Sequence, residues 1–258
     1  EVVDENGTAV IWADDIWSDK VVERVKKREI RLITVGERGK GIQLLSRQPT
    51  QLGQTLELRI QGDVTKVKLP LIGAYQAANV LVAAGVVMAS GGDVEDVLAH
   101  MARLQPVRGR LERAVITKSG APVYVDYAHT PDGLKAAIAA LRPHTKGKLI
   151  TVFGAGGDRD KGKRPEMGAI AVADSDITIV TDDNPRSEDP GLIRADIMAG
   201  APGAHEIGDR RYAIAFAIEH AEPDDIVLIA GKGHEQGQII MGRVLPFDDV
   251  EVARECAA

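Results

Sequence analysis

The sequence predicts an α/β protein whose second part is a doubly wound, mostly parallel sheet. Three observations support this prediction. The strands of the second part are largely apolar, helical segments of about ten residues separate them, and a polar loop follows each strand. Apolar strands that alternate with helices indicate a parallel sheet covered on both faces. The 258 residues, 44% hydrophobic and 27% charged, have an ordinary globular composition and suffice for one or two domains.

The first part, up to about Arg108, is predicted to contain short strands followed by two helices. Glycines and alternating charged residues mark the strand-like runs Ala9–Ala13, Ile30–Val35, Ile42–Ser46, Leu56–Gln61 and Val64–Leu69. These runs predict a largely antiparallel sheet. The segment Ala74–Ala89 is apolar around its whole circumference and stops at Gly91-Gly92, which predicts a buried helix with a glycine cap. Asp93 caps a second predicted helix through Leu104, and a domain boundary is expected near Pro106–Gly109.

The second part, residues 109–258, alternates predicted strands with predicted helices. The strands are Val123–Tyr127, Leu149–Phe153, Ile177–Thr181 and Ile226–Ala230. The helices are Pro131–Leu141, Pro165–Ala173, one that opens at Asp189-Pro190, and Arg210–His220. Thr130 is a typical N-cap residue, and proline at the next position suits the first turn of a helix.

Charge and cysteine content exclude several classes of protein. The net charge of −6 argues against binding to nucleic-acid phosphates, and the whole acidic excess lies after Arg108. Cys256 is the only cysteine and is expected in a frayed end, so a disulfide framework and thiolate-rich metal sites are excluded. The apolar stretch Leu71–Ala89 contains Gln76 and Asn79 and is too short for a membrane span of ~20 residues. We therefore expect a cytoplasmic protein without a membrane span.

Four loops of the second part have an unusual composition. They are DYAHTPD at Asp126–Asp132, FGAGGDRDKGKR at Phe153–Arg164, TDDNPR at Thr181–Arg186 and AGKGHE at Ala230–Glu235. Because parallel strands enter their following helices at one edge of the sheet, these loops are expected to meet at the carboxyl ends of the strands. A single loop of this kind suits a solvated surface turn. Four of them at one edge predict a ligand site.

The glycine loop fits neither common nucleotide fingerprint. In the dinucleotide pattern G-x-G-x-x-G, Gly154 and Gly156 take the first two positions, but the third falls on Arg159. The phosphate-loop pattern G-x-x-x-x-G-K-[ST] is nearly met by Gly157–Arg164, but Arg164 replaces the hydroxyl residue that would bind magnesium. The glycines are nevertheless expected to bring backbone amides close to an anion.

The charged residues of these loops favour a zwitterionic ligand. Arg159 and Arg186 can each hold a carboxylate with two hydrogen bonds. Asp182, Asp183 and Glu235 can accept hydrogen bonds from an ammonium group, and Asn184 can both donate and accept. Two arginines suit an amino acid that has two carboxylates.

The motifs DYAHTPD, GGDRDKGKR, DDNPR and GKGHE, in this order and spacing, resemble those of the ATP-dependent Mur ligases of peptidoglycan synthesis. The DNPR string resembles the corresponding motif of the family members that add meso-diaminopimelate rather than lysine. In the first part, AVIWADD, GAYQAANVLVAAG and LQPVRGRLE resemble the end of the family's central ATPase domain. The resemblance assigns residues 1–108 to the remainder of that domain, and residues 109–258 to a Rossmann-like, amino-acid-binding C-terminal domain.

The resemblance also implies roles for individual residues. It places meso-diaminopimelate against Arg159, Asp183, Asn184, Pro185, Arg186, Gly231 and Glu235. It places the nucleotide near Asn79, Arg110, Asp126 and His129. Asn79 could instead be a satisfied polar group in a buried helix, and His129 a residue at a helix start. The partners that it implies are meso-diaminopimelate and UDP-N-acetylmuramoyl-dipeptide, and it implies ATP and Mg²⁺ for the whole enzyme.

The sequence also departs from the family pattern. It has no true phosphate loop, it starts at Glu1 rather than Met, and the family's catalytic lysine and magnesium ligands would lie upstream. We therefore expect the carboxyl-terminal half of such a ligase, with no catalytic or metal-binding residue of its own, no tightly bound cofactor and no activity alone. Two alternatives stay open: a non-catalytic amino-acid-binding module, and another ligase of the superfamily such as a folylpolyglutamate synthetase.

Overall fold

The computed structural model describes residues 3–258 and divides the chain into two compact units, Glu1–Gln105 and Pro106–Ala258. Glu1 and Val2, the start of the predicted first domain, lie outside the described residues. No helix in the described part of the chain has both the length and the apolar character needed to cross a membrane.

The first unit contains one sheet and the helices beside it. The strands are β1 (Thr8–Trp12), β2 (Arg31–Gly36), β3 (Ile42–Thr50), β4 (Gly53–Ile60) and β5 (Asp63–Leu69). The helices are α1 (Ser18–Lys27), α2 (Ala74–Ala89) and α3 (Val94–Met101). The sheet has the order β1-β2-β3-β4-β5, and each of the five predicted strand runs overlaps one of these strands.

The prediction of a largely antiparallel sheet is wrong for half of this sheet. β1 pairs in parallel with β2, and β2 with β3, whereas β3-β4 and β4-β5 are antiparallel. A parallel pair needs a crossover connection, and α1 provides it between β1 and β2. Helix α1 was not predicted, because it is mostly charged and its only inward apolar residues are Val22 and Val25, which are partly buried beside the buried Ser18.

Helix α2 has the predicted bounds and the predicted glycine cap. Gly91 has a φ of +93°, and the amide of Gly92 donates to the carbonyl of Val87 at 2.9 Å, which closes the helix end. The prediction that α2 is buried around its whole circumference is wrong, because the side chains of Val86 and Val87 are about half exposed. Helix α3 is capped by Asp93 as predicted but ends at Met101, three residues before the predicted end.

The second unit is a doubly wound sheet, as predicted. Its strands are β6 (Glu112–Ile116), β7 (Pro122–Asp126), β8 (Leu149–Phe153), β9 (Ile177–Val180), β10 (His205–Glu206) and β11 (Ile226–Ala230). Its helices are α4 (Pro131–Leu141), α5 (Lys163–Asp174), α6 (Pro190–Met198), α7 (Arg210–Glu219) and α8 (Asp249–Ala257). The strand order is β10-β9-β8-β11-β7-β6, and all neighbours are parallel except β6 and β7.

Both faces of this sheet are covered. Val227 and Ile229 of β11 pack in a core with Ile214 of α7 and Val250 of α8. Leu228 points to the opposite face and is equally buried. On that side α5 contacts both α4 and α6. After β8 the chain continues to β9, which is the neighbour of β8 on one side. The neighbour of β8 on its other side is β11, the last strand of this sheet in the chain. A crevice therefore opens at the carboxyl ends of β8 and β11.

Several elements of this unit were not predicted. A two-stranded hairpin, β12 (Gly237–Ile240) and β13 (Arg243–Pro246), follows the last strand of the sheet. Cys256 lies in α8 and packs against the core, so the expectation of a frayed end is wrong. Burial raises the pKa of the Cys256 thiol.

Candidate functional site

The four unusual loops meet at the carboxyl edge of the second sheet and surround a cavity. Its volume of about 560 Å³ lies within the ~300–1,000 Å³ of typical small-molecule sites. The lining residues are Tyr127, His129, Thr130, Gly156, Arg159, Asp160, Lys163, Asp183, Asn184, Arg186, Gly231 and Glu235. Every one of the four loops contributes to this lining.

Most of the residues predicted to bind the amino acid line this cavity. They are Arg159, Asp183, Asn184, Arg186, Gly231 and Glu235. Pro185 is buried and is not among the lining residues. Of the residues predicted to lie near the nucleotide, only His129 lines the cavity. Asn79 lies on the exposed side of α2 in the first unit, so it is not a satisfied group of a buried helix.

Backbone pairing with the hairpin fixes the loop that carries Arg186. The amide of Arg186 donates to the carbonyl of Ile239 at 2.8 Å, and the amide of Met241 donates to the carbonyl of Arg186 at 2.6 Å. Arg186 has a φ of +54°, a conformation that costs energy for any residue other than glycine. Its Nη1 donates to the carbonyl of Gly157 at 2.8 Å. The guanidinium is thereby held at the cavity in one orientation.

Glycines let the loops approach one another more closely than any side chain would allow. A Cβ at Gly157 would lie 1.9 Å from the carbonyl oxygen of Pro185. A Cβ at Gly231, where φ is +118°, would lie 2.4 Å from Oδ2 of Asp183. Gly157 is therefore needed for space, and Gly231 for both space and backbone conformation.

Three backbone amides of the glycine loop are engaged within the protein, which narrows the expectation that this loop offers amides to an anion. The amide of Gly157 donates to the carbonyl of Asn184 at 2.8 Å, and that of Asp158 donates to Oε1 of Glu188 at 2.6 Å. The amide of Gly162 donates to Oδ1 of Asp160 at 2.9 Å. Because these three donors are engaged within the protein, they are not available to an anion in the cavity.

Arg164, the residue that spoils the phosphate-loop pattern, has a structural task. It is fully buried and donates to Glu188 at 2.8 and 3.1 Å and to Asp196 at 2.9 Å. The hydrogen bonds from Arg164, with that from the Asp158 amide, lower the pKa of Glu188 to about 2. Glu188 thereby ties the glycine loop to the loop that follows β9.

Arg210 fixes the ends of two strands of the sheet. It is buried, and its Nε and Nη2 donate to the two carboxylate oxygens of Asp249 at 2.8 and 2.7 Å. Nη2 also donates to the carbonyl of Ala230 at 3.0 Å, and Nη1 to that of Asp182 at 3.4 Å. Both carbonyls belong to the predicted ligand loops. This pair was not predicted, because no spacing motif reveals it.

Two of the predicted acceptors are engaged elsewhere. Asp182 pairs with Arg194 and is not among the lining residues, so its predicted contact with a ligand ammonium is wrong. Burial raises the pKa of Asp182. Asn184 donates from Nδ2 to Oε2 of Glu235 at 2.8 Å, and its Oδ1 accepts from the amide of Ile239 at 2.9 Å. The Asn184 side chain therefore connects loops.

A ring cluster lies where the chain leaves β7. The Tyr127 ring is 4.5 Å from that of His129 and 5.0 Å from that of His234, measured between centroids. The Arg110 guanidinium lies 4.9 Å from the Tyr127 ring centroid. Asp126 does not line the cavity: its carboxylate accepts from the amides of Leu111 and Ala128 at 2.8 and 2.9 Å. Burial raises the pKa of Asp126 despite these bonds.

Lys163 is a cavity residue that the sequence analysis did not select. Its Nζ donates to the carbonyl of His129 at 2.8 Å, and burial lowers its pKa. With Lys163, the cavity has three cationic side chains and three carboxylates, the latter being Asp160, Asp183 and Glu235. This equal number of opposite charges suits a ligand that itself carries both carboxylates and ammonium groups.

Comparison with known proteins gives the same family for both units. Residues 109–233 match the family described as "Mur ligase, glutamate ligase domain", and residues 1–87 match the "Mur ligase middle domain". The chain is 60% identical to the UDP-N-acetylmuramoyl-L-alanyl-D-glutamate--2,6-diaminopimelate ligase of Zymomonas mobilis, over 99% of this chain and 53% of that protein. It is 46% identical to the ligase of the same name from Agrobacterium fabrum, over 100% of this chain and 53% of the relative.

Solved structures agree with this comparison. One described as a UDP-N-acetylmuramoyl-L-alanyl-D-glutamate--2,6-diaminopimelate ligase matches with a TM-score of 0.80 at 36% identity, over 97% of this chain and 53% of that one. Folylpolyglutamate synthase of Mycobacterium tuberculosis, complexed with ADP and AMPPCP, matches with a TM-score of 0.60 at 26% identity. The match covers 87% of this chain and 52% of that one. The chain spans about half the length of the curated relatives it matches.

Proposed function

The chain belongs to the Mur ligase family, and on that premise we propose that it is part of a ligase that joins meso-diaminopimelate to UDP-N-acetylmuramoyl-L-alanyl-D-glutamate in peptidoglycan synthesis. In this proposal residues 109–258 are the amino-acid-binding domain, and residues 1–108 are the end of the ATPase domain. The whole enzyme would act in the cytoplasm. The observation that carries the proposal is the cavity in which Arg159, Arg186, Asp183 and Glu235 meet.

The charges of the cavity match meso-diaminopimelate group by group. This amino acid has two carboxylates, which Arg159 and Arg186 can each grip with two parallel hydrogen bonds. One amine has to stay protonated, and Asp183 and Glu235 are the acceptors for it. Lysine lacks the second carboxylate, so the second arginine would face no anion. The structure favours this family member over a folylpolyglutamate synthetase, whose solved relative matches with the lower TM-score and identity.

In the proposed reaction the other amine of diaminopimelate attacks an acyl phosphate made from the dipeptide carboxylate. The amide C–N bond forms, the bond from the carbonyl carbon to the phosphate oxygen breaks, and the amine loses a proton. The cavity residues would bind and orient the attacking amino acid, since a fixed orientation supplies much of the rate of such a step.

Mur ligases use ATP and Mg²⁺, but this chain has few groups that fit them. The printed sequence has no G-x-x-x-x-G-K-[ST], and among residues 3–258 no three His, Cys, Asp or Glu side chains are placed to hold a metal ion. We derive no phosphoryl-transfer step from these residues. For the nucleoside end of ATP, the chain offers the ring cluster in which Arg110 and His129 pack against Tyr127. The roles of Asn79, Arg110, Asp126 and His129 near the nucleotide stay predictions.

Calorimetry on the 258-residue chain tests the amino-acid site. We expect weak binding of meso-diaminopimelate that Arg186→Ala abolishes, because this change removes the cation that would grip one carboxylate. Arg211→Ala is the matched control, since Arg211 lies on the exposed side of α7, remote from the cavity lining. Unchanged affinity in the Arg186 variant would contradict the site assignment.

A separate assay tests the expectation that this chain is inactive by itself. Without a phosphate loop it should neither hydrolyse ATP nor form the amide. Release of phosphate that depends on the UDP-N-acetylmuramoyl-dipeptide would overturn this expectation.

A further inference from the structure

Lys232 is a fully buried cation beneath the cavity. It is the second residue of the GKGHE motif, has no exposed surface, and lies between Gly231 and Gly233, which both have a positive φ. A lysine is rarely buried completely unless its charge is compensated. Lys232 is not among the residues that line the cavity, and the family resemblance assigns roles only to Gly231 and Glu235 of this motif.

The contacts of Lys232 account for its charge. Nζ donates to the carbonyl of Gly237 at 2.6 Å, to Oδ1 of Asn184 at 3.2 Å and to Oε2 of Glu235 at 3.5 Å. An ammonium group has three N–H donors, so these three acceptors occupy all of them. The cation therefore acts on its neighbours and has no donor left for a ligand.

Two of these neighbours line the cavity, and Lys232 bonds to both. Oδ1 of Asn184 accepts from Lys232 at 3.2 Å and from the amide of Ile239 at 2.9 Å, so its Nδ2 points to Oε2 of Glu235 at 2.8 Å. Oε2 of Glu235 thus receives hydrogen bonds from both residues, and the carboxylate is held in one rotamer although it is one-third exposed. Both bonds go to Oε2, so neither of them occupies Oε1, which is left to accept from a ligand.

We propose that Lys232 is a positioning residue for substrate: it fixes the Asn184 amide and the Glu235 carboxylate so that Glu235 receives the retained ammonium of the bound amino acid. This inference rests on the proposed function in its choice of ligand. It adds that recognition of the ammonium depends on a buried cation that the ligand never touches. Removal of the cation frees the Glu235 side chain to rotate and leaves Oδ1 of Asn184 with one donor fewer.

The test compares the 258-residue chain with its Lys232→Met variant, and with Lys135→Met as the control. Lys135 lies on the exposed side of α4. Titrations use meso-diaminopimelate and pimelate, which has the same carbon chain and both terminal carboxylates but no amines. We expect Lys232→Met to reduce the preference for diaminopimelate over pimelate by about tenfold or more. The reason is that a Glu235 carboxylate free to rotate loses its hydrogen bond to the charged ammonium of diaminopimelate, which pimelate lacks. A general loosening of the fold would weaken the binding of both ligands equally and leave the ratio of their affinities unchanged. An unchanged ratio therefore overturns the proposal.

A second measurement needs no ligand and separates this inference from the proposed function. In NMR spectra, the Asn184 side-chain amide protons should exchange with solvent about tenfold faster or more in the Lys232→Met variant than in the wild type or the Lys135 control. Lys232→Gln, which keeps a donor but removes the charge, should lie between them. Equal exchange in all four proteins overturns the proposal even where diaminopimelate binds. Faster exchange with no binding to the wild type supports the positioning role and contradicts the proposed substrate.

If the Lys232 variants fail to fold, the wild-type chain decides. Its Lys232 ammonium protons should exchange slowly enough to be detected, and their signal should move when meso-diaminopimelate is added, because Glu235 then gains a second cation. An ammonium signal that stays unmoved in a chain that binds diaminopimelate overturns the proposal.

Discussion

Replacement of Asp249 by alanine should destabilise the second unit strongly. Asp249 and Arg210 have no exposed side-chain surface, and the carboxylate receives two of the hydrogen bonds that the guanidinium makes. The change leaves the guanidinium buried with only the backbone carbonyls of Ala230 and Asp182 as partners. A charge left without its counter-charge in the interior cannot regain its hydration unless the structure opens.

The expected loss is about 3–5 kcal/mol, the range for breaking a buried ion pair from one side. Such a loss is a large part of the ~5–15 kcal/mol that stabilises an ordinary domain. Replacing both partners with apolar residues, as in Arg210→Met with Asp249→Leu, should cost less than the single change because no charge is left unpaired.

Urea unfolding followed by circular dichroism measures this loss, provided that the slope of the unfolding free energy against urea concentration is the same in both proteins. Trp12 and Trp17 both lie in the first unit, so tryptophan fluorescence serves as an internal reference. Glu255→Ala is the matched control: it breaks an ion pair between the same two helices whose side chains are more than half exposed, and should cost less than ~1 kcal/mol. An Asp249 variant no less stable than the Glu255 variant would refute the reasoning.

Three further predictions concern the loops around the cavity. Gly231→Ala should abolish binding of meso-diaminopimelate in calorimetry, since its Cβ would collide with Asp183, whereas Gly203→Ala, at another positive φ with no neighbour within 4 Å, should bind normally; equal binding by both would show that the close approach is unimportant. Arg159→Lys should weaken diaminopimelate binding by about tenfold in the same assay, because an ammonium cannot replace the paired donors of a guanidinium, and full affinity would contradict a bidentate grip. The pKa of Glu188 lies below its unfolded value of 4.5, so the stability that its carboxylate contributes is complete above about pH 4.5 and is lost as the pH falls toward about 2. The urea midpoint of the Glu188→Gln variant should therefore fall less over this pH interval than that of the wild type. Parallel curves of midpoint against pH for the two proteins would argue against the lowered pKa.

Local signals predicted the elements that have a strong period or a clear cap. Helix α4 begins after Thr130 as expected, because the Thr130 hydroxyl accepts from the amide of Gly133 and proline suits the first turn. Strand β8 has the predicted bounds because its five residues, all apolar but Thr151, fit the middle of a covered sheet. Helix α1 was missed because its few apolar residues give only a narrow inward stripe, and the parallel pairing of β1 with β2 was missed with it.

The sequence also predicted which loops converge, since the topology of a parallel sheet requires it. It could not predict the buried cations behind them. Arg210 meets Asp249 across 39 residues, and Lys232 meets Asn184 across 48, so no local pattern records either contact. Nor could it show that the amides of Gly157 and Asp158 are already engaged within the protein and are not available to an anion.

A calorimetric comparison of meso-diaminopimelate with L-lysine tests whether the cavity holds an amino acid with two carboxylates. L-Lysine keeps both amines and one carboxylate, so it tests whether Arg159 and Arg186 each need an anion. Loss of one charged hydrogen-bonding partner corresponds to about 10- to 100-fold in affinity. The structure predicts that meso-diaminopimelate binds the wild-type chain tighter than L-lysine by at least that factor; equal affinity for the two amino acids, or tighter binding of L-lysine, would contradict it.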